Sequence, residues 1–283
     1  MEAHANAKKP WTMKFKGQIE NDFLFGTLLA KDVLPFAIKQ YSLVVLPIRI
    51  TQDEKTKMID SDEALATGFT KAYDWFKLAE ETWDKYRNKD DYTIYQRLNY
   101  DSLLTKQPVK THYYVLYNQS GKNLSAAVLD TTRINDINGI PIQGFVVDSK
   151  CYWYATESLE EAHYLVGILN SNVVNNSIKP LQTHGLKGER DIHRRPFEAC
   201  NIPTYNSENI VHKKISNIAI ECHDLLSLYS TKMKGLTGKM RTESREIVVE
   251  KLHKLNELVE ELLKKNPMKM KRKKGDDAQI SLF

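Results

Sequence analysis

The stretch "SLEEAHYLVGILNSNVV", Ser158 to Val174, is where the chain changes character. It opens with a capping box: the Ser158 hydroxyl can accept from the Glu161 amide while the Glu161 carboxylate reaches back. Ala162, Leu165, Val166 and Leu169 then recur at helical spacing, so a helix with one apolar stripe is expected. It should fray near Asn170-Ser171-Asn172 or kink and run on towards Ile178, and Pro180 disfavours helix at Lys179. Upstream of this stretch the patterns read mostly as strands; downstream they read mostly as helices. The expectation is an α/β-type mixed (α+β) fold.

Working outward, "YSLVVLPIRI" (Tyr41–Ile50), "HYYVLYN" (His112–Asn118), "LSAAVLDT" (Leu124–Thr131) and "GFVVDSKCYWYAT" (Gly144–Thr156) are rich in β-branched and aromatic residues and read as strands. Asp148-Ser149-Lys150 suits a turn in the last, and "QSGKN" and "NDINGIP" are turns. "SDEALATGFTKAYDWFKLAEETWDKY" opens with Ser61 as N-cap, and apolar residues recur at 65, 69, 72, 76, 79 and 83, a helical spacing. Trp75, Phe76 and Trp83 belong on or near its buried side. "CNIPTY" reads as a short edge strand interrupted by Pro203.

Two longer helices follow. Ile215, Ile218, Ala219, Cys222, Leu225, Leu226 and Tyr229 share one face, and Val248, Leu252, Leu255, Val259 and Leu262 step in a heptad rhythm. Gly235 and Gly238 punctuate the link. The economical arrangement is a C-terminal antiparallel helical hairpin, its stripe serving intramolecular packing rather than a dimer zipper.

The 283 residues suffice for one large or two ordinary domains, and 41% hydrophobic content supplies a core. No apolar run reaches the roughly 18 residues of a membrane span, and Met1 to Trp11 lacks a signal-peptide stretch, so a soluble cytoplasmic protein is expected. Cys151, Cys200 and Cys222 form no CxxC pair and read as reduced core thiols. The net charge of +5 has one source: seven cations and two acids lie in the last twenty residues. Without them the 41 cations and 36 acids fall to 34 and 34, so residues 1–263 are neutral. Any nucleic-acid contact by the body must come from a local cluster, while the tail supplies a sequence-independent, salt-sensitive attraction.

One such cluster is "THGLKGERDIHRRPFE", Thr183 to Glu198. It has almost nothing to bury, and a core rejects unpaired charge. His184, His193, Glu189 and Asp191 have the chemistry for a metal or for acid–base work, yet no HExxH or CxxC fixes a geometry and the arginines compete for the carboxylates. There is no GxxxxGK[ST], GxSxG or GxGxxG; "GLKG" and "GLTG" have two glycines each and follow no clear strand. No self-sufficient active site, and no cofactor of the chain's own, is expected. Binding is better served. Lys187, Arg190, Arg194 and Arg195, with Lys179, Gln182, His184 and His193, offer forked donors for guanine edges and charges for phosphates. Gly185 and Gly188 allow close approach of the backbone to a partner. Glu189 and Asp191 can hold the arginines or accept from cytosine. The alternative is a surface loop stitched by its own Glu–Arg pairs, which contribute little to stability.

The block "EAHYLVGILNSNVVNNSIKPLQTHGLKGERDIHRRPFEACNIP" resembles the TaqI-like C-terminal specificity (target-recognition) region of adenine-specific DNA methyltransferases of restriction–modification systems. "IENDFLFGTLLAKDVLPF", "YSLVVLPI", "YDSLLTKQ", "YVLYNQSGKNLSAAV" and "GFVVDSKCYWYAT" extend the likeness, which runs from about Lys16 to Leu226. The resemblance implies a DNA target-recognition domain over 11–205, presenting Lys179 to Arg195 to duplex DNA. A disordered start (1–10) precedes it, a helical hairpin (206–264) braces it, and a flexible basic tail (265–283) ends the chain.

The resemblance also has a gap. Family members carry a Rossmann-like catalytic domain with an Asn-Pro-Pro-Tyr/Phe motif for the flipped adenine and a glycine-bearing loop for S-adenosylmethionine. Neither stands here, and "NIPTY" is no substitute. S-adenosylmethionine is therefore expected on a separate methyltransferase or restriction subunit that carries the missing motifs, not on this chain. The tail ends in "QISLF", which resembles the pentapeptide that docks proteins on the bacterial sliding clamp. Gln279 would make polar contacts while Ile280, Leu282 and Phe283 fill an apolar pocket; the alternative is an end folded back on the body. Two rival functions stay open: a DNA-associated scaffold tethered to a sliding clamp, and an enzyme in its own right, which would bind S-adenosylmethionine unaided.

Overall fold

The computed structural model describes residues 12, 14–88, 91–185 and 188–266. It is mixed α and β, with small antiparallel sheets, and it divides into two compact units interleaved along the chain. One comprises the described residues up to Thr27, Ser42–Lys110 and Asn135–Val146; the other comprises Leu28–Tyr41, Thr111–Ile134 and the described residues from Val147 onward.

In the first unit "YSLVVLPIRI" forms two strands rather than one, because Leu46-Pro47 interrupts it: Ser42–Val45 pairs with Leu24–Thr27, and Ile48–Ile50 with Thr56–Met58. Asp136–Ile137 and Ile140–Pro141 make a minimal hairpin across Asn138-Gly139, both at positive φ (56° and 78°) as a type I′ turn requires. The helix expected from Ser61 is also two. Asp60, not Ser61, caps Ser61–Ala66, its side chain accepting from the Glu63 amide at 2.8 Å. Gly68 (φ 89°) breaks the run before Thr70–Tyr86 begins. That second helix starts at Phe69, which has no capping side chain; the Glu20 carboxylate accepts from the Lys71 and Ala72 amides at 2.9 and 2.7 Å instead. Phe76 is buried against Phe23 at a ring separation of 5.2 Å, while Trp75 and Trp83 are half-buried.

The second unit is built on a three-stranded antiparallel sheet, with Tyr113–Asn118 between Ala126–Asp130 and Cys151–Thr156. The Cys151 amide closes the expected turn on the Asp148 carbonyl at 2.9 Å; upstream of it only Phe145 makes a β-bridge, to Gly26 within the first unit. The central helix, Leu159–Asn170, packs on this sheet and on a second helix, Ile210–Ser227. Every residue from Ala162 to Asn170 is buried, not one stripe alone, because both of its sides are covered. Gly167 permits the close approach: a Cβ there would stand 2.9 Å from Ile215 Cγ2.

The central helix starts as expected, with Ser158 Oγ accepting from the Glu161 amide at 3.2 Å. The reciprocal half of the box is not made. The Glu161 carboxylate instead takes the Tyr154 hydroxyl at 3.1 Å and the Thr156 hydroxyl, tying the helix start to the adjacent strand. At the other end the chain is extended at Ser171, which caps a new helix, Asn172–Ile178, by accepting from the Val174 amide. The asparagines there do more than end a helix. Asn170 both donates to and accepts from the Ala126 backbone (2.8 and 3.0 Å), and Asn175 accepts from the Leu124 amide at 3.1 Å. They satisfy backbone groups that burial would otherwise strand.

Ile215, Ala219, Cys222 and Leu226 are buried as expected, whereas Tyr229 lies beyond the helix end and is 47% exposed. Val248, Leu252, Leu255, Val259 and Leu262 are buried, the last four on the helix Val249–Lys265. The link is itself partly helical: Thr237–Ile247 contains Gly238, and Gly235 (φ 114°) makes the turn before it. Lys251 and Glu221 form an ion pair between the Val249–Lys265 and Ile210–Ser227 helices. Cys200–Tyr205 is not a strand. Pro203 removes a donor, and the Pro203 carbonyl accepts from the Tyr164 hydroxyl at 2.9 Å. All three cysteines are buried and none forms a disulfide among the described residues. Among the described residues no helix is long and apolar enough to cross a membrane.

Candidate nucleic-acid interface

The charged segment after Leu181 is a small antiparallel ladder, with His184 opposite Glu189 and Gly185 opposite Gly188. Thr183, His184, Arg190 and Arg194 are exposed. These four side chains meet solvent, yet the base of the segment is firmly rooted. Ile192 is fully buried in the main apolar cluster, and the amides of Ile192 and His193 both donate to the Gln119 carbonyl at 3.0 Å. Ser120 and Asp191 form an antiparallel bridge, and the Gly121 amide donates to the Arg190 carbonyl at 3.2 Å. The "QSGKN" turn and the hairpin are therefore joined through backbone bonds.

Gln182 completes the joint. It is 5% exposed, and its Nε2 donates to the Gly121 carbonyl at 3.0 Å and the Arg190 carbonyl at 2.9 Å. Expected as a surface contact, it faces inward and positions the hairpin. Its Oε1 has no hydrogen-bond partner among the described residues. Lys179, half-buried, donates through Nζ to the Lys122 carbonyl and to Asn123 Oδ1 at 3.0 Å, so it braces the same turn.

Asp191 organises the bend. Its carboxylate accepts from the Thr183 hydroxyl and lies 3.6 Å from His193 Nε2, and its backbone carbonyl accepts from Arg195 Nη1. The Thr183 hydrogen bond, with the charges of His193 and Arg195, holds the Asp191 carboxyl below its ordinary range despite some opposing desolvation. His193 has a positive φ of 42°, a sparsely populated conformation for a side chain other than glycine. The Tyr117 hydroxyl, kept protonated by burial, donates to the His193 carbonyl at 3.0 Å, and the Tyr152 hydroxyl is 3.5 Å from His193 Nδ1. These contacts over-determine the bend that leads into the short helix Arg195–Ala199. Arg195 is half-buried there.

The space beside Gly185 is filled from within. A Cβ at that position would stand 2.6 Å from Arg190 Cζ, so the missing side chain lets the Arg190 guanidinium lie against the ladder. The Asp191 carboxylate, read in the sequence as a holder for the arginines, bonds the Thr183 hydroxyl and faces His193. Among the described residues no cluster of three His, Cys, Asp or Glu is arranged to hold a metal ion. Lys187, Gln279, Leu282 and Phe283 lie outside the described residues, as does the segment 1–10. Of the expected contacts, His184, Arg190 and Arg194 are exposed, and His193 and Arg195 are half-buried. Sequence reading missed the role of Ser120–Asn123; its glycine and lysine marked a turn, but not which segment the turn meets.

No protein-family model matches the chain, and no curated protein matches it.

Proposed function

We propose that this chain is the DNA sequence-recognition part of an adenine-specific DNA methyltransferase or a linked restriction enzyme. It works in the cytoplasm beside a separate subunit that carries the Asn-Pro-Pro-Tyr/Phe motif and binds S-adenosylmethionine. The observation that carries the reading is the hairpin after Leu181, with His184, Arg190 and Arg194 exposed and with Ile192 and Gln182 buried at its base. A rigid base under exposed arginines suits readout, because forked donors discriminate base edges only when their position is set in advance. The resemblance of "GILNS", "IKPLQ" and "GERDIHRRPFE" to the TaqI-like specificity region supplies the rest.

His184, Lys187, Arg190, His193, Arg194 and Arg195 are the contacts in this reading, and Lys179 and Gln182 set their frame. The closing helices act as an antiparallel hairpin that braces the unit or docks the catalytic subunit. "QISLF" tethers the complex to a sliding clamp through Gln279, Leu282 and Phe283. Binding to random and selected duplexes at several salt concentrations tests the proposal. After deletion of residues 264–283, a reader keeps a sequence preference; loss of all DNA affinity would instead mark a scaffold whose body no longer reads DNA.

A further inference from the structure

We propose that the Ser120–Asn123 turn is the second half of the DNA-facing element, and that Lys122 contacts a backbone phosphate. The inference rests on the DNA-recognition reading above and adds a contact outside the charged hairpin. Lys122 is exposed, and no ion pair among the described residues includes it. Its own backbone carbonyl is held by Lys179 Nζ, while Gly121 is held on both sides, its amide on Arg190 and its carbonyl on Gln182. The turn therefore moves with the hairpin, and a duplex seated on Arg190 meets Lys122 in a set position.

The ground beneath the turn is also positive. Arg241 Nη1 lies 3.5 Å from where a Cβ on Gly121 would stand. The Arg241 guanidinium donates to the carbonyls of Ala30 and Val33, and that of Arg245 to the carbonyls of Leu124 and Asn170 and to Asn172 Oδ1. Neither takes part in an ion pair among the described residues, and burial lowers the pKa of each only to about 10, so both stay charged. Buried positive charge of this kind favours a polyanion at the overlying surface. Phosphate is the class that fits, since a lone ammonium on a turn is a point charge without the fork needed to read a base.

The test is the salt dependence of full-length protein binding to a duplex of random sequence, where the basic tail contributes equally to every variant. Lys122→Ala should reduce the slope of log K against log salt by about 0.9, one phosphate contact, and Lys122→Arg should restore it. An unchanged slope in Lys122→Ala, with Arg190→Ala still weakening binding, would overturn the Lys122 contact and leave the hairpin reading standing. If the alanine variants at 122, 190 and 194 all bind as the parent does, the contact and the DNA-recognition reading fall together.

Discussion

The Gln182 side-chain amide donates to the Arg190 carbonyl at 2.9 Å, so a residue with the chemistry of a base reader serves as a rivet at the foot of the charged hairpin. Substitution by leucine keeps the volume but removes both donations. Gln182→Leu is expected to lower unfolding free energy by about 1–2 kcal/mol, since two part-buried carbonyls lose a donor. Denaturant titration measures the loss. Hydrogen exchange at the Arg190 amide, which donates to the Thr183 carbonyl, should quicken in step. Unchanged exchange would mean that the backbone bonds alone hold the hairpin.

Arg190 and Arg194 are exposed, so their removal should touch binding and not folding. Arg190→Ala and Arg194→Ala are each expected to weaken specific DNA binding by about 1–3 kcal/mol if they read base edges. Melting temperatures should stay close to that of the parent, as for most surface substitutions. Competition between selected and random duplexes at fixed salt checks this; full affinity and selectivity in both variants would leave the hairpin as a surface loop.

Gly167 faces Ile215 Cγ2 and Ala219 Cβ, with 2.9 and 3.3 Å available to a new methyl. Gly167→Ala should therefore overpack the contact between the two buried helices and cost about 1–3 kcal/mol despite alanine's better helix propensity. Thermal unfolding reads the sign directly. A stabilised variant would show that the helices part easily.

His163 gives the protein an acid limb. Burial, with His223 beside it, pushes its pKa down to about 3 from the ordinary 6.5, and Nδ1 is buried with no hydrogen-bond partner among the described residues. The fold keeps the imidazole neutral where the unfolded chain takes up a proton. That contribution is complete above about pH 6.5 and is lost as pH falls towards 3, at up to about 1.4 kcal/mol per unit. His212, shifted down by its own burial, adds in the same direction. Urea titrations between about pH 7 and pH 4 should show a shallower decline for His163→Leu than for the parent.

Calorimetric titration of the full chain with S-adenosylmethionine is expected to release no heat. A saturable signal would make the chain an enzyme in its own right and remove the need for a catalytic partner.

Much of this was readable in the residues themselves. Ser158 as a cap, the buried face of Ile215, Ala219, Cys222 and Leu226, and the heptad of Leu252, Leu255, Val259 and Leu262 follow from periodicity, which is a local property. So does the exposure of the charged segment, because a core rejects that composition. Tertiary structure decided the remainder. It placed Glu20 as the cap of a helix that begins at Thr70, covered both sides of the Leu159–Asn170 helix, and joined Gln182 to Gly121, which stands 61 residues earlier. Such bonds satisfy buried donors and acceptors wherever folding brings them together. A pairing of that kind depends on three-dimensional proximity and leaves no repeat in the order of the amino acids.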